Sequence, residues 1–290
     1  MISYAQNFED IILSRIFANE TDGFYVDIGA CHPIHDSVTQ HFYLNGWQGI
    51  NIEPQPQLFA ELQRERQRDI NLNVCVGSQP GQQTLYITAD QGTSTLDRTL
   101  ADNYQSSGRV TQKIDVEVVS LNDIWQQYVG TRRVDFLKID VEGFEKEVLV
   151  NADFAIVTPS ILLIEAVRPE SKEPSHLDWE PLISQHYRLF YFDGLNRFYH
   201  RNNYPLELPH CSTPPNVFDQ FKTYREHLLE QANQHLSLQV EADKFQIESF
   251  ERLLADKDAA LKEAAEAYRE LRHRFDIQLV QLQQLAENKD

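Results

Sequence analysis

Carboxylates stand at regular places in this sequence, and they are the residues best suited to binding and catalysis. Four of them lie at or near the end of a short apolar run of the kind that forms a buried parallel strand: Asp27, Glu53, Asp140 and Glu165. Glu142 follows two residues after Asp140. Because the carboxyl ends of parallel strands meet at one edge of a sheet, we expect these side chains to lie close together. Crowded carboxylates repel one another, so the pattern predicts a cation, hydroxyl donors or a metal ion as ligand.

The turn that follows Asp27 narrows the choice of ligand. It reads GACHP over residues 29–33, with one glycine where a dinucleotide-binding turn has three. Gly29 lets a ligand approach the backbone closely, which a Cβ would obstruct. Asp27 lies two residues before Gly29, and this spacing of an acid and a glycine resembles the first motif of S-adenosylmethionine-dependent methyltransferases. Glu53, which ends the next predicted strand, stands where an acid accepts hydrogen bonds from ribose hydroxyls.

The composition limits the partners of the chain. With 41% hydrophobic and 24% charged residues, the 290-residue chain is typical of one or two globular domains. Its formal charge of −18 argues against nucleic acid and anionic membrane surfaces as partners. No apolar run approaches the ~20 residues of a membrane span, and the N-terminus lacks the pattern of a signal peptide. The widely spaced Cys31, Cys75 and Cys211 indicate reduced thiols, so we expect a cytoplasmic protein.

Strand and helix patterns alternate over the predicted first domain, residues 1–218. The predicted strands are 24–28, 49–54, 72–76, 83–87, 114–118, 134–140 and 161–165. The predicted helices include 3–17, 38–44, 58–66, 120–128 and 144–150. The turn at Asp193 and Gly194 predicts a hairpin between residues 187–192 and 197–200. We therefore expect a doubly wound α/β sheet of the Rossmann-like methyltransferase type, with an antiparallel hairpin at its edge.

Residues 219–290 form the predicted second domain and contain neither glycine nor proline. Apolar or bulky residues recur there at every seventh position: Val240, Ile247, Leu254, Leu261, Tyr268, Phe275 and Leu282. Such heptads predict a long coiled-coil helix that needs a second helix to cover its apolar stripe. Asp243, Lys257 and Gln278 interrupt the stripe three residues on, and we expect self-association as a dimer rather than a trimer. A helical hairpin within one chain is the alternative.

Six short motifs follow one another along the chain: SYAQNFED at 3–10, DIGACHP at 27–33, GWQGINIEP at 46–54, KIDVEGFE at 138–145, DGLNRFY at 193–199 and PPNVFD at 214–219. In this order they resemble the FkbM-family methyltransferases over about residues 1–220, and the heptad tail lies outside the resemblance. Pro33 stands where many members have glycine. The resemblance implies transfer of a methyl group from S-adenosylmethionine to oxygen, often to a sugar or polyketide hydroxyl.

The resemblance and the strand ends together suggest a role for each candidate residue. The expected cofactor-binding residues are Gln6, Asp27, Gly29, Ala30, Glu53, Pro54, Cys75, Val76 and Asp140. Asp140, Glu142 or His32 is the expected base that assists a sugar or glycan hydroxyl. Asp140 and Glu165 are candidates for binding Mg²⁺ or Mn²⁺ through hard oxygen ligands. The residues expected on the acceptor side are Glu165, Arg168, Trp179, Asn196 and Arg197.

Two other classes of function stay open at this point. One is a nicotinamide-dependent oxidoreductase or epimerase, which the absent glycine trio disfavours. The other is a catalytically inactive scaffold whose coiled coil carries the function. The retained acids Asp27, Glu53 and Asp140 disfavour that reading.

Overall fold

The chain combines a mixed α/β unit with a long C-terminal helix, as predicted. The structure is a computed structural model that describes residues 1–169, 171–206 and 208–287. One compact unit covers Met1–Tyr224, and a second unit begins at Arg225. The first unit thus extends beyond the boundary expected at residue 218.

The strands are β1 Ile2–Ser3, β2 Phe24–Ile28, β3 Gln48–Ile52, β4 Ile70–Leu72, β5 Cys75–Val76, β6 Gly81–Thr88, β7 Val110–Val119, β8 Phe136–Ile139, β9 Ile161–Glu165, β10 Tyr187–Phe192, β11 Asn196–Arg201 and β12 Lys222–Thr223. The α-helices are α1 Glu9–Ile16, α2 Gln40–Leu44, α3 Pro56–Glu65, α4 Arg98–Ser106, α5 Leu121–Ile124, α6 Glu145–Leu149, α7 Glu180–Ile183, α8 Leu208–Cys211 and α9 Tyr224–Glu287.

The main sheet has seven strands in the described part of the chain, in the order β10-β11-β9-β8-β2-β3-β4. Strands β9, β8, β2, β3 and β4 run parallel to one another, and β11 and β10 add to β9 in antiparallel pairing. The order of the chain reverses at β2, which lies between β8 and β3. Parallel sheets of this kind form a ligand-binding crevice at the carboxyl ends of the strands beside such a point.

Alternate side chains of β2 enter two separate cores on opposite faces of the sheet. Val26 belongs to a core that includes Ile124 of α5 and Leu149 of α6. Tyr25 belongs to another core, with Leu13 of α1 and Phe42 of α2. Helices therefore cover both faces, and the carboxyl edge of the sheet is left for a ligand.

The first predicted helix is shorter in the structure than expected. The sequence predicts a helix over residues 3–17, whereas α1 spans Glu9–Ile16 and Ile2–Ser3 forms β1. The buried carboxylate of Asp10 accepts hydrogen bonds from the Ser3 hydroxyl at 2.7 Å and from the Tyr4 amide at 2.7 Å. Those bonds hold the preceding segment in an extended form, which leaves β1 free to pair with β12.

The strand predicted over residues 72–76 is two strands in two different sheets. Strand β4 ends at Leu72 in the main sheet, and Cys75–Val76 joins β7 and β6 in a smaller sheet. The side-chain amide of Asn73 donates to the carbonyl oxygens of Glu53 and Pro54, each at 2.9 Å. These bonds turn the chain away from the main sheet and fix the end of β3.

Helix α9 has 64 residues, from Tyr224 to Glu287. Its heptad residues from Val240 to Leu282 are between 51% and 67% exposed. No helix in the described residues is both long and apolar enough to cross a membrane.

Candidate active site

A cavity of about 460 Å³ opens at the carboxyl ends of β2, β3 and β8, and we name it the first cavity. Its wall contains most of the residues predicted to bind a cofactor: Gln6, Gly29, Ala30, Glu53, Pro54, Cys75, Val76 and Asp140. His32 and Glu142 also line it. The ends of β2, β3 and β8 therefore meet around one space, within the 300–1,000 Å³ that is usual for small-molecule sites.

Glu53 is the most firmly placed acid of the first cavity. It is only 4% exposed, and its two carboxylate oxygens accept hydrogen bonds from the backbone amides of Cys31 at 3.0 Å and Gln55 at 2.8 Å. Burial raises the pKa of Glu53 to about 7, although the two amides act in the opposite direction. Each oxygen keeps a lone pair, so the side chain can accept further hydrogen bonds from a ligand.

Gly29 is required by the packing of the protein backbone. Its φ is +81°, and a Cβ at this position would lie 1.8 Å from the carbonyl oxygen of Asp140. Any larger residue would force the ends of β2 and β8 apart. The sequence-based reason for this glycine, close approach of a ligand, is therefore incomplete.

Asp27 does not line the first cavity, in contrast to the sequence-based expectation. It is 1% exposed, and it faces the amino group of Lys138 at 3.4 Å and the hydroxyl of Thr39 at 3.3 Å. Lys138 also lies 3.3 Å from the Asp140 carboxylate and donates to the Gly29 carbonyl at 3.2 Å. Burial alone would lower the pKa of Lys138, but the two carboxylates outweigh it and raise that pKa. Asp27 thus holds the lysine that positions Asp140.

His32 lines the first cavity, but both of its ring nitrogens are engaged. Nδ1 accepts hydrogen bonds from the amides of Ile34 at 3.0 Å and His35 at 2.9 Å, which assigns the proton to Nε2. Nε2 then lies 3.4 Å from the carboxylate of Glu61. Burial and the nearby His35 lower the pKa of His32. Because the accepting nitrogen is occupied, His32 is not placed to take a proton from a substrate.

Glu142 is held in an unusual backbone conformation beside the first cavity. Its φ is +54°, a region that non-glycine residues rarely occupy and that is enriched at functional sites. The Thr95 hydroxyl donates to the Glu142 carbonyl at 3.0 Å, and the Glu145 carboxylate accepts from the amides of Val141 and Gly143 at 3.2 and 3.1 Å. The segment is therefore fixed from both sides. Burial and the charge of Asp140 raise the pKa of Glu142.

The residues expected on the acceptor side are not brought together in the first cavity. Asn196 donates to Glu9 at 2.7 Å, and Arg197 pairs with Glu180 at 2.8 Å, so both stabilise the protein itself. Glu165 is 7% exposed and does not line the first cavity, and burial and Asp140 raise its pKa. These three predictions of substrate contact are not supported by the structure.

Arg168 and Trp179 instead line a separate cavity of about 530 Å³, which we name the second cavity. Arg168 is 54% exposed there and pairs with Asp178 at 3.1 Å. The two cavities share Leu96 and Phe144 in their walls. The second cavity therefore adjoins the first.

The described residues contain no group of three or more His, Cys, Asp or Glu side chains arranged to bind a metal ion. The nearest cation to Asp140 is the Lys138 amino group, which supplies the positive charge that the sequence argument assigned to a metal. A cation site formed by Asp140 and Glu165 is therefore not supported by this structure.

Sequence reasoning missed several residues of the first cavity. Lys138 is the most important of them. It could have been found from the sequence, because it is a lysine inside an otherwise apolar strand, two residues before Asp140. Thr93 and Ser94, in the loop before α4, also line the cavity. Their polar run is visible in the sequence, but the contact of Thr95 with Glu142 that ties this loop to the site is not.

The family model of the methyltransferase FkbM domain matches residues 27–192, which is more than half of the chain. The match confirms the family resemblance and ends before the heptad tail. No curated protein matches the chain.

Proposed function

The chain belongs to the FkbM methyltransferase family, and we propose that its first cavity binds S-adenosylmethionine. The observation that carries the proposal is Glu53, a buried carboxylate in the cavity wall whose oxygens are oriented by two backbone amides. Such an acid suits the two ribose hydroxyls of an adenosyl group. Asp140 and Glu142 add negative charge to the same wall, which favours a sulfonium ion.

The residues of the chain supply alignment and proton transfer for attack by a hydroxyl oxygen. S-adenosylmethionine, when bound, supplies a methyl group on a positively charged sulfur. Glu142 accepts the proton that the hydroxyl loses, since its raised pKa brings it closer to neutral pH, where a base is effective. Asp140, held by Lys138 at 3.3 Å, orients the hydroxyl beside it.

The proposed acceptor is a hydroxyl of a sugar or glycan. Support comes from the family resemblance and from the polar wall of the first cavity, where carboxylates and the hydroxyls of Thr93 and Ser94 can each accept a hydrogen bond from a polyol. A divalent metal ion is not needed to place the acceptor in this arrangement.

The direct test is a methyl-transfer assay with isotopically labelled S-adenosylmethionine. The purified full chain is incubated with nucleotide sugars, free glycans and, as a comparison, thiol and amine acceptors. The proposal predicts label on a carbohydrate oxygen, located by mass spectrometry and NMR. Label only on sulfur or nitrogen acceptors would contradict O-methylation and leave the family assignment intact. Addition of EDTA to the same assay tests the metal, and unchanged activity is expected.

We further propose that α9 pairs with α9 of a second copy of this chain. Seven consecutive heptad positions, from Val240 to Leu282, are apolar or bulky and more than half exposed. In a parallel pair, each of these residues meets its own counterpart, so the stripe covers itself over its whole length. Burial of apolar surface is worth roughly 25 cal/mol per Å², which favours association.

The tail proposal is tested by light scattering on the full chain and on a variant with Leu254→Glu and Leu261→Glu. A dimer is expected for the wild type and a monomer for the variant, because charges at adjacent seam positions repel across the pair. Ile277→Glu, which lies two residues after the seam residue Phe275, is the matched control and should stay dimeric. A monomeric wild type at micromolar concentration would overturn the proposal.

A shortened chain that lacks the helical tail should end after Tyr224 rather than at residue 218. Lys222–Thr223 pairs with Ile2–Ser3, and the Tyr224 ring lies 4.8 Å from that of Tyr4 and 5.3 Å from that of His35. His35 lines the first cavity, so an earlier cut would remove contacts that support it.

A further inference from the structure

The second cavity has a different charge from the first, although both belong to the same unit of an acidic chain. Arg98, Lys146 and Arg168 line it together with four acids: Asp97, Glu145, Glu147 and Asp178. Its volume of about 530 Å³ is sufficient for a monosaccharide that carries a charged group.

Each acid of the second cavity is engaged by the protein. Asp97 accepts the amide of Leu100 at 2.7 Å, and Glu147 accepts the hydroxyl of Ser78. Glu145 accepts the two amides that fix the segment around Glu142, and Asp178 pairs with Arg168. Each of these carboxylates therefore has at least one partner within the protein.

Two of the three cations are not committed in this way. Within the described residues, the side chains of Arg98 and Lys146 form no ion pair and no hydrogen bond. Both are exposed at the cavity. The second cavity therefore presents one unpaired arginine and one unpaired lysine side chain, in a chain of net charge −18.

Unpartnered polar groups in the cavity wall are a second, independent observation. The hydroxyl of Ser175 and the indole N–H of Trp179 have no hydrogen-bond partner in the described structure, although Ser175 is only 6% exposed and Trp179 only 1%. A buried donor without an acceptor costs about 1–3 kcal/mol. Both atoms are closed to solvent in this structure, so an anion in the cavity would reach them only with a small movement of the wall.

We propose that the second cavity binds an anionic group of the methyl acceptor, a phosphate or a carboxylate attached to the sugar. The inference rests on the proposed function, because it assumes that the acceptor hydroxyl reaches Glu142. Leu96 and Phe144, which lie in the walls of both cavities, are the partition that such an acceptor spans. The cations of the second cavity then orient one end of the acceptor while its hydroxyl faces the first cavity.

The test measures binding of small charged probes to the full chain saturated with S-adenosylhomocysteine. The probes are inorganic phosphate, glucose 1-phosphate, glucuronic acid and the neutral methyl glucoside. The readout is the NMR signal of the Trp179 indole N–H, which Trp179→Phe assigns among the three tryptophans of the chain. We expect the charged probes to shift this signal and the neutral glucoside to leave it in place.

The variant with Arg98→Ala and Lys146→Ala should bind the charged probes about tenfold more weakly, since two exposed cations each contribute modestly. Arg188→Ala, which removes an exposed cation of β10 outside both cavities, should bind as the wild type does. Stronger binding of glucose 1-phosphate identifies a phosphate, and stronger binding of glucuronic acid identifies a carboxylate.

Two results would overturn the inference: binding of the charged probes no tighter than that of methyl glucoside, or equal binding by the wild type and the double variant. Neither result bears on cofactor binding in the first cavity, because calorimetry with S-adenosylmethionine measures that affinity separately. Failure of the proposed function and failure of this inference are thus distinguishable.

Discussion

The two cavities share Leu96 and Phe144 in their walls and differ in the charge that they offer to a ligand. The first cavity presents the acids Glu53, Asp140 and Glu142, and the second presents the unpaired cations Arg98 and Lys146. Both are built on ends of strands and beginnings of helices, so the difference lies in which side chains the protein leaves available. It indicates a cationic ligand in the first cavity and an anionic one in the second.

The acids of the first cavity are also held differently from the cations of the second. Backbone amides fix Glu53, and Lys138 fixes Asp140. Arg98 and Lys146 are exposed side chains without a partner that fixes them. Preorganised groups stabilise a developing charge best, which supports the proposal that the reaction takes place in the first cavity and that the second cavity binds another part of the acceptor.

Replacement of Glu142 by glutamine should have the largest effect on the first cavity. Glutamine keeps the size of the side chain but cannot take a proton, so turnover should fall by about 10²–10⁴. Affinity for S-adenosylmethionine should stay within about twofold, since the amide keeps its acceptor oxygen. Methyl-transfer rates at saturating cofactor measure the first effect, and calorimetry measures the second.

The control for this experiment is Glu117→Gln, an exposed position of β7 that lies outside both cavities. Full turnover by Glu142→Gln would remove the assignment of the base. Asp140→Asn, tested beside it, would then identify whether the other acid takes the proton.

Replacement of Glu53 by alanine should weaken binding of S-adenosylmethionine by several-fold to about a hundredfold. The variant loses charge-assisted hydrogen bonds worth ~1.5–3 kcal/mol and leaves the Cys31 and Gln55 amides without acceptors. Glu65→Ala, on the exposed side of α3, is the matched control. Unchanged cofactor affinity in Glu53→Ala would exclude its contact with the ribose.

The pH dependence of cofactor affinity should also show whether the ionised form of Glu53 contacts the cofactor. Burial raises its pKa to about 7 in the free protein, so below that pH the side chain is protonated and accepts hydrogen bonds poorly. Binding favours the ionised form, and affinity should therefore fall by at most about tenfold per pH unit below 7 and level off above it. Titration calorimetry from pH 5.5 to pH 8.5 gives the profile.

Glu53→Gln provides the comparison for the pH experiment. It cannot ionise, so its affinity should change less with pH than that of the wild type. A profile that is equally steep in both proteins would assign the pH dependence to another group.

Replacement of His32 by asparagine should have the smallest effect. The asparagine oxygen can still accept the amides of Ile34 and His35, and no proton transfer is lost because Nδ1 is already occupied. We expect turnover to change by no more than about threefold. A loss comparable to that of Glu142→Gln would show that the ring is rearranged during catalysis.

The ends of the strands were predictable because apolar runs and the acids that follow them are local patterns. Eight residues predicted to bind a cofactor line the first cavity. They were predicted from that pattern together with the family motifs. Because side chains alternate along β2, Asp27 points to the face opposite Ile28, and this could be read from the sequence. Asp27 was nevertheless predicted to lie with the other acids because it stands near the end of the strand. Its pairing with Lys138 depends on neighbouring strands.

Other features depend on contacts between distant segments, which a single sequence does not reveal. The split of residues 72–76 follows from the bonds of Asn73 to Glu53 and Pro54. The second cavity is assembled from separate parts of the chain, from Ser78 to Trp179. Its charge balance depends on which acids are already bonded, and this can be read only from the structure.

The most direct test of the account is calorimetry of the full-length wild-type chain with S-adenosylmethionine and, separately, with NAD⁺ and NADH. The account predicts one S-adenosylmethionine bound per chain, displaced by S-adenosylhomocysteine, and no heat from either nicotinamide cofactor. Absence of S-adenosylmethionine binding, or binding of NADH that S-adenosylhomocysteine displaces, would contradict the assignment of the first cavity.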